Sequence, residues 1–164
     1  DLHLTAVNVA DVAHRAVDAL QLTTTQRINL TIQDESLIVL ADALRLEQVL
    51  HNLLTNATKY APGADHIDMR VRRQGDDAEV AVQDYGPGME QADLSRLFTR
   101  FYQTDRLDNA THGGLGLGLF IAREIMRTHG GDVDVTSALG VGSTFAVHLP
   151  LRADDAAASE DAGE

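Results

Sequence analysis

Four polar residues in one stretch could meet a metal–phosphate group and a flat ring together. In the run Ala43 to Tyr60, ALRLEQVLHNLLTNATKY, Asn52, Asn56, Lys59 and Tyr60 follow one another at i, i+4, i+7 and i+8. At about 100° per residue, the helical period, they form one stripe. Leu46, Val49, Leu50, Leu53, Leu54 and Ala57 form a broad apolar stripe beside it. An ordinary surface helix carries charge opposite its core face. This one sets two amides, an ammonium and an aromatic ring along the border of that face. Taken alone, the stretch reads equally well as a buried helix with a solvated polar flank.

Two further segments have chemical potential. Asp84-Tyr85-Gly86-Pro87-Gly88 follows an alternating run and opens a loop. A carboxylate at a strand end can accept a hydrogen bond from an exocyclic amine, and neighbouring glycines let backbone come close to a ring. By itself the pattern is also a common turn. Gly113-Gly114-Leu115-Gly116-Leu117-Gly118 directly precedes an apolar helical run. Backbone amides at a helix start attract phosphate, although such a run can also be a hinge. Its spacing is not G-x-G-x-x-G, and no Gly-Lys-Ser/Thr follows, so dinucleotide-fold and P-loop readings fail on their own motifs.

The elements that must position these residues can be read from periodicity. Leu2 to Val7 suggests a short edge strand, and Val9 to Leu20 a helix capped by Asn8. Ile28 to Ile32 and Ser36 to Ala41 read as strands. Asp42 then caps the central helix, which Pro62-Gly63 stops. Ile67, Met69 and Val71 alternate with His66, Asp68, Arg70 and Arg72, and a turn at Gly75-Asp76 leads into a second alternating run, Glu79 to Gln83. This is a hairpin pattern. Asp93 to Phe101 reads as a short helix, and Leu115 to Thr128 as a longer one with Leu117, Phe120, Ile121 and Ile125 on one side. Two strands, around Val133–Val135 and Phe145–Leu149, close the chain through a Gly140–Gly142 turn. Alternating strands imply one covered and one wet face. The expected fold is therefore α+β: a two-layer α/β sandwich with a mixed sheet of about five strands and helices on one face.

Composition narrows the function classes. The chain has 164 residues, 44% of them hydrophobic, with no cysteine and a net charge of -12. One domain is the natural count. Disulfides and thiolate metal sites are excluded, and the acidity argues against nucleic-acid binding. No run reaches the ~18 apolar residues of a membrane span, and no signal peptide is visible. Five of the 25 acids fall within residues 153–164, an Ala/Asp/Glu-rich stretch expected to be a disordered tail on a domain of residues 1–152. Beginning at Asp1, not Met, the chain reads as a piece of a longer protein.

Taken in order, these motifs resemble the catalytic and ATP-binding domain of sensor histidine kinases, part of the wider ATPase superfamily shared with gyrase, Hsp90 and MutL. LEQVLHNLLTNATKY resembles the N box, DYGPG the G1 box, LFTRFYQ the F box, GGLGLGL the G2 box and GSTF the G3 segment. The resemblance runs from about Arg45 to Leu149 and implies the Bergerat ATP-binding fold.

It also implies roles. Asn56 would ligate Mg²⁺, with Asn52 supporting the phosphate–metal cluster and Lys59 contacting phosphate. Tyr60 would lie against adenine. Asp84 would bond the adenine amino group, with Gly86 and Gly88 close by. Arg100 would reach the γ-phosphate, with Phe101 next to it in the nucleotide site. Gly114, Leu115, Gly116, Leu117 and Gly118 would wrap the phosphates, and Thr144 would support the adenine carboxylate. Residues 102–112 would be an ATP lid.

Superfamily members that hydrolyse ATP with water carry a glutamate base four residues before the metal asparagine. Here that position is Asn52, and an amide cannot take a proton from water. The resemblance therefore implies transfer of phosphate to a protein histidine. The family's acceptor lies on an upstream dimerisation hairpin, and none of His3, His14, His51, His66, His112, His129 and His148 has that context. The implied partners are ATP or ADP, that hairpin, and a response regulator. The isolated domain would be a monomer and the whole protein a homodimer, located in the cytoplasm or anchored to a membrane through upstream segments. Two rival readings use the same motifs: a serine kinase of the anti-sigma-factor type, and a non-catalytic nucleotide-sensing module.

Overall fold

The structure, a computed structural model, describes residues 1–98 and 117–152. Its strands are β1 (Thr5–Asn8), β2 (Arg27–Ile32), β3 (Ile38–Ala41), β4 (His66–Gln74), β5 (Asp77–Asp84), β6 (Asp132–Ala138) and β7 (Gly142–Pro150). Its helices are α1 (Val9–Gln21), α2 (Ala43–Tyr60), α3 (Gln91–Leu94) and α4 (Leu117–Thr128). Five strands form one mixed sheet in the order β2-β4-β5-β7-β6. Only β2 and β4 run parallel, joined by a crossover through β3 and α2; the other neighbours are antiparallel. β1 and β3 make a separate two-stranded sheet, fastened to the end of β7 by the Arg152 N–H, which donates to the Ile38 carbonyl at 2.9 Å. The expected two-layer architecture is present.

The core follows the sequence parity. Leu46, Val49, Leu50, Leu53, Leu54 and Ala57 of α2 are all at most 1% exposed, so the predicted apolar stripe is the buried one. Ile67, Met69 and Val71 of β4 point beneath the helices, as do Val80 and Val82 of β5 and Phe145 and Val147 of β7. The cross-strand partners Val80–Val147 and Val82–Phe145 fix the register, since a one-residue slip would turn every apolar side chain to solvent. Asn8 caps α1, its side-chain oxygen accepting from the Ala10 and Asp11 amides at 2.9 and 3.4 Å. Asp42 caps α2 through the Arg45 amide.

Several boundaries differ from expectation, each for a local reason. β1 starts at Thr5, leaving Leu2 and Leu4 exposed. β3 starts at Ile38, not Ser36, because the Asp34 carboxylate takes both the amide and the hydroxyl of Ser36 into a turn. The helix expected over Asp93 to Phe101 is the four-residue α3 followed by turns as far as Phe98. The Glu90 side chain does not cap its first turn, and the bonds tighten to i→i−3 at Arg96 and Leu97. Leu97 still reaches the core, at 1% exposure. On α4 the packed stripe is Leu119, Ala122 and Met126, while Phe120, Ile121 and Ile125 are only partly covered. Arg123, Glu124 and Arg127 mark a polar flank, but the apolar face opposite is broader than the stripe that packs, so periodicity gave the side and not the inner residues. Glu79 was expected on the wet face yet is buried; the Arg72 guanidinium, donating at 2.7 Å, and His148 cover it.

The centre of α2 sets the stability of the whole arrangement. Leu53→Ala is expected to cost about 2–5 kcal/mol, the transfer and cavity cost of truncating a fully buried leucine, as measured by urea unfolding.

Candidate functional site

The polar flank of α2 meets α4 and the ends of β5 and β7. One turn apart on α2, the two asparagines behave differently. The Asn52 side-chain amide donates to the Gly118 carbonyl in the first turn of α4 at 3.2 Å. That commits its nitrogen and leaves its oxygen as the acceptor end. The Asn56 side-chain nitrogen is buried with no hydrogen-bond partner among the described residues. Lys59 and Tyr60 follow on the last turn. The Tyr60 ring stacks on Phe145 of β7, with centroids 6.1 Å apart and planes at 25°.

Asp84 closes β5 at 1% exposure. Oδ1 accepts two backbone bonds, from Gly86 at 3.1 Å and from Ser143 at 3.2 Å. Oδ2 is buried and has no partner among the described residues. Burial pushes the Asp84 carboxyl above its ordinary range, and the two amide bonds only partly offset that. A buried acceptor left unpaired is costly, and an amine of matching geometry would relieve it. This is the donor–acceptor match that an exocyclic amino group offers.

The glycines around Asp84 have an intramolecular reason. A Cβ on Gly86 would overlap the Tyr60 carbonyl, and one on Gly142 (φ +133) would overlap the Asp84 carbonyl. Backbone from α2, β5 and β7 thus meets directly beneath the carboxylate. Sequence reasoning gave Gly86 and Gly88 a place near a ring; here Gly86 lies against the end of α2 and Gly88 against Ala138 in the β6–β7 hairpin.

One assignment needs correction. Thr144 was expected to support the carboxylate. Strand alternation puts Ser143 on the inner face with Phe145, and Thr144 on the other. The supporting group is the Ser143 amide, the register partner of Asp84. The Ser143 hydroxyl lies 2.8 Å from that of Ser137, which donates to the Gly142 carbonyl and accepts from the Met89 amide. The clue was in the sequence: the run Phe145, Val147, Leu149 fixes the parity, and Ser143 shares it.

The structure thus joins Asn52 to Gly118 and sets Tyr60, Gly86 and Asp84 side by side, with Asn56 and Lys59 on the same helix α2 and Gly88 against the β6–β7 hairpin. Arg100, Phe101, Gly114, Leu115 and Gly116, the stretch 102–112 and the tail 153–164 lie outside the described residues, as does His112. Among the other histidines, His129 has a clear structural part. Its Nε2 accepts from the Asp42 amide at 3.0 Å, so Nδ1 carries the proton and donates to the Ile125 carbonyl at 2.8 Å. His148 bridges Glu79 and Asp134, while His3, His14 and His51 are exposed.

Residues 41–153 match the family model described as "Histidine kinase-, DNA gyrase B-, and HSP90-like ATPase". The chain belongs to this family. Within it, both curated relatives described below are named as histidine kinases. The circadian input-output histidine kinase CikA of Synechococcus elongatus is 40% identical over 110 residues, which is 67% of this chain and 15% of CikA. The sensor histidine kinase WalK of Bacillus subtilis is 34% identical over 140 residues, 83% of this chain and 23% of WalK. The crystal structure of full-length ShkA in complex with AMPPNP matches with a TM-score of 0.79 at 28% identity, covering 92% of this chain and 32% of ShkA. The chain thus spans less than a quarter of the two curated relatives. It is an ATPase-family domain of the histidine-kinase kind, and ATP is its ligand class. No described helix is long and apolar enough to cross a membrane.

The buried carboxylate makes the stability of this domain depend on pH. Because the folded state raises the Asp84 pKa, its contribution favours folding at low pH and is lost as pH rises from the ordinary carboxylate value through the raised one. Urea unfolding of wild type and Asp84→Asn, compared from about pH 3 to about pH 8, should show wild type losing stability relative to the variant as pH increases. The opposite slope would mean that the fold favours the charged carboxylate.

Proposed function

We propose that this domain binds Mg-ATP and donates its γ-phosphoryl group to a histidine on a dimerisation hairpin outside this chain, for relay to a response regulator. The observation that carries the reading is the buried Asp84 Oδ2 with no partner among the described residues, beside the Tyr60–Phe145 ring pair. An adenine would supply the missing amine and present a face to the tyrosine. The AMPPNP-bound form of ShkA supports a nucleotide in the matching fold.

The donor set also fits magnesium. Asn56 has a buried amide end that no described residue engages, and an amide turned about its last torsion presents oxygen where nitrogen stood. Neutral oxygen suits Mg²⁺, which keeps several waters and takes most of its charge balance from phosphate. When bound, the metal would neutralise charge on the phosphates. Asn56 would hold it, Asn52 would orient the cluster from its tether on Gly118, and Lys59 would act on phosphate as a point charge. Arg100 and the Gly114–Gly118 segment complete the assignment by their likeness to the F and G2 boxes.

Asn52 favours transfer over hydrolysis. It cannot accept a proton from water, and its nitrogen is already bound to the Gly118 carbonyl. Phosphoryl transfer needs mainly positioning and charge neutralisation from such a domain, with the nucleophile brought from elsewhere. In this reading residues 1–152 are the domain and 153–164 an acidic extension. The domain is a monomer within a homodimeric protein, and it works in the cytoplasm, where ATP is available.

Two measurements test this. In calorimetric titration with and without Mg²⁺, Asn56→Ala should abolish the Mg²⁺-dependent part of ATP binding; unchanged affinity would remove its metal role. Incubated with γ-labelled ATP, the chain alone should stay unlabelled, and a histidine hairpin added in trans should become labelled. Labelling of the chain itself, or of a serine substrate in place of the hairpin, would overturn the histidine-kinase assignment.

A further inference from the structure

The residue beside the adenine-reading carboxylate is anchored on the other side of the sheet. Along β5 the side chains alternate, so Asp84 points to the helix layer and Tyr85 to the open face. There the Tyr85 hydroxyl donates to Oδ2 of Asp68 on β4. Oδ1 of the same aspartate accepts from the Asn29 side-chain amide on β2 at 3.1 Å, and the His66 ring lies 4.8 Å from the Tyr85 ring. The phenol thus ties the end of β5 to β4 and, through Asp68, to β2 beyond it.

The tie falls where the backbone needs it. Residues 85–90 have no regular secondary structure. Within that loop the Gly86 amide is spent on Asp84 itself. That bond cannot orient the carboxylate unless something else fixes residue 85. The other loop ties, Gly140 N–H to the Pro87 carbonyl at 2.8 Å and Met89 N–H to Ser137 at 2.8 Å, lie further along the chain. The Tyr85 phenol is the anchor next to the reading group.

We infer that Tyr85, held by Asp68, is a positioning residue that sets how strongly Asp84 discriminates adenine from other bases. The inference rests on the nucleotide reading above. Freed of its phenolic bond, residue 85 would let the Gly86 amide turn, and Oδ1 would keep only the Ser143 bond. The unpaired Oδ2 would then lose its fixed direction. Adenine, whose amino group donates to that oxygen, would lose more than guanine, which presents a carbonyl there. The strength of the tie is visible in the phenol, whose pKa is pushed up to about 12 first by the bond to Asp68, then by burial and by the carboxylate charge.

The test is calorimetric binding of Mg-ATP and Mg-GTP to the chain and to Tyr85→Phe, Asp68→Ala, Asp68→Asn and the Tyr85→Phe/Asp68→Ala double variant. Tyr85→Phe should lower the ATP-over-GTP preference roughly three- to tenfold, the fold-change expected for one hydrogen bond. Asp68→Ala should match it, and the double variant should add nothing further, the mark of a shared interaction. Asp68→Asn keeps an acceptor oxygen and should retain most of the preference. If ATP and GTP affinities fall by the same factor, the tie is merely structural and the inference is overturned. The same holds if Tyr85→Phe discriminates as well as wild type. A wild-type chain that binds ATP with no preference overturns the Asp84 assignment together with this inference; one that binds no ATP overturns the nucleotide reading as well. Should Tyr85→Phe fail to fold, as judged by its thermal melt, the contrast between Asp68→Ala and Asp68→Asn decides the matter alone.

Discussion

A carboxylate buried at the end of a strand is the constraint on which this fold's cleft depends. Asp84 is almost wholly buried, at 1% exposure, so its charge needs partners other than bulk water. The protein supplies half of what is needed: two backbone amides fill one oxygen, from a loop on one side and a neighbouring strand on the other. Those amides require close backbone packing, which explains why Gly86 and Gly142 tolerate no side chain. Among the described residues nothing meets the second oxygen. Stability forgone at a buried unpaired acceptor is a cost that proteins tolerate at functional sites.

The central helix solves a related problem. Its apolar stripe must pack on the sheet, and that orientation fixes where the adjoining stripe points. Because Asn52, Asn56, Lys59 and Tyr60 border the apolar residues instead of opposing them, packing the core places them beside the cleft. The two asparagines then divide the work. One is spent on the backbone of α4, and the other keeps a buried polar end unmatched.

Much of this was legible in the sequence because parity and period are local. The buried face of α2, the inward residues of β4 and the Asn8 and Asp42 caps follow from spacing alone. So did the mixed sheet with one covered face. What failed had no local signature. The apolar face of α4, opposite Arg123, Glu124 and Arg127, is wider than the stripe that packs, so spacing alone did not pick Leu119, Ala122 and Met126. The early end of α3 depends on an absent cap and a tightened turn. Glu79 is buried by the side chains of Arg72 and His148, which arrive from other strands. Thr144 differs in kind, since the alternation around Phe145 already puts Ser143 on the inner face and Thr144 on the other. Tyr85 and Asp68 look like ordinary loop and strand residues until the β2–β4–β5 register sets them side by side.

Helix α4 is pinned to α2 at both extremities, by Asn52 on its opening turn and by His129 just past its close. Arg123, whose guanidinium donates to Asp132 on β6 at 3.1 Å, adds a third fastening to the sheet. Sliding one helix along the other would break both end rungs at once, so the pair behaves as a single strut. A displacement of either helix is therefore shared by its neighbour.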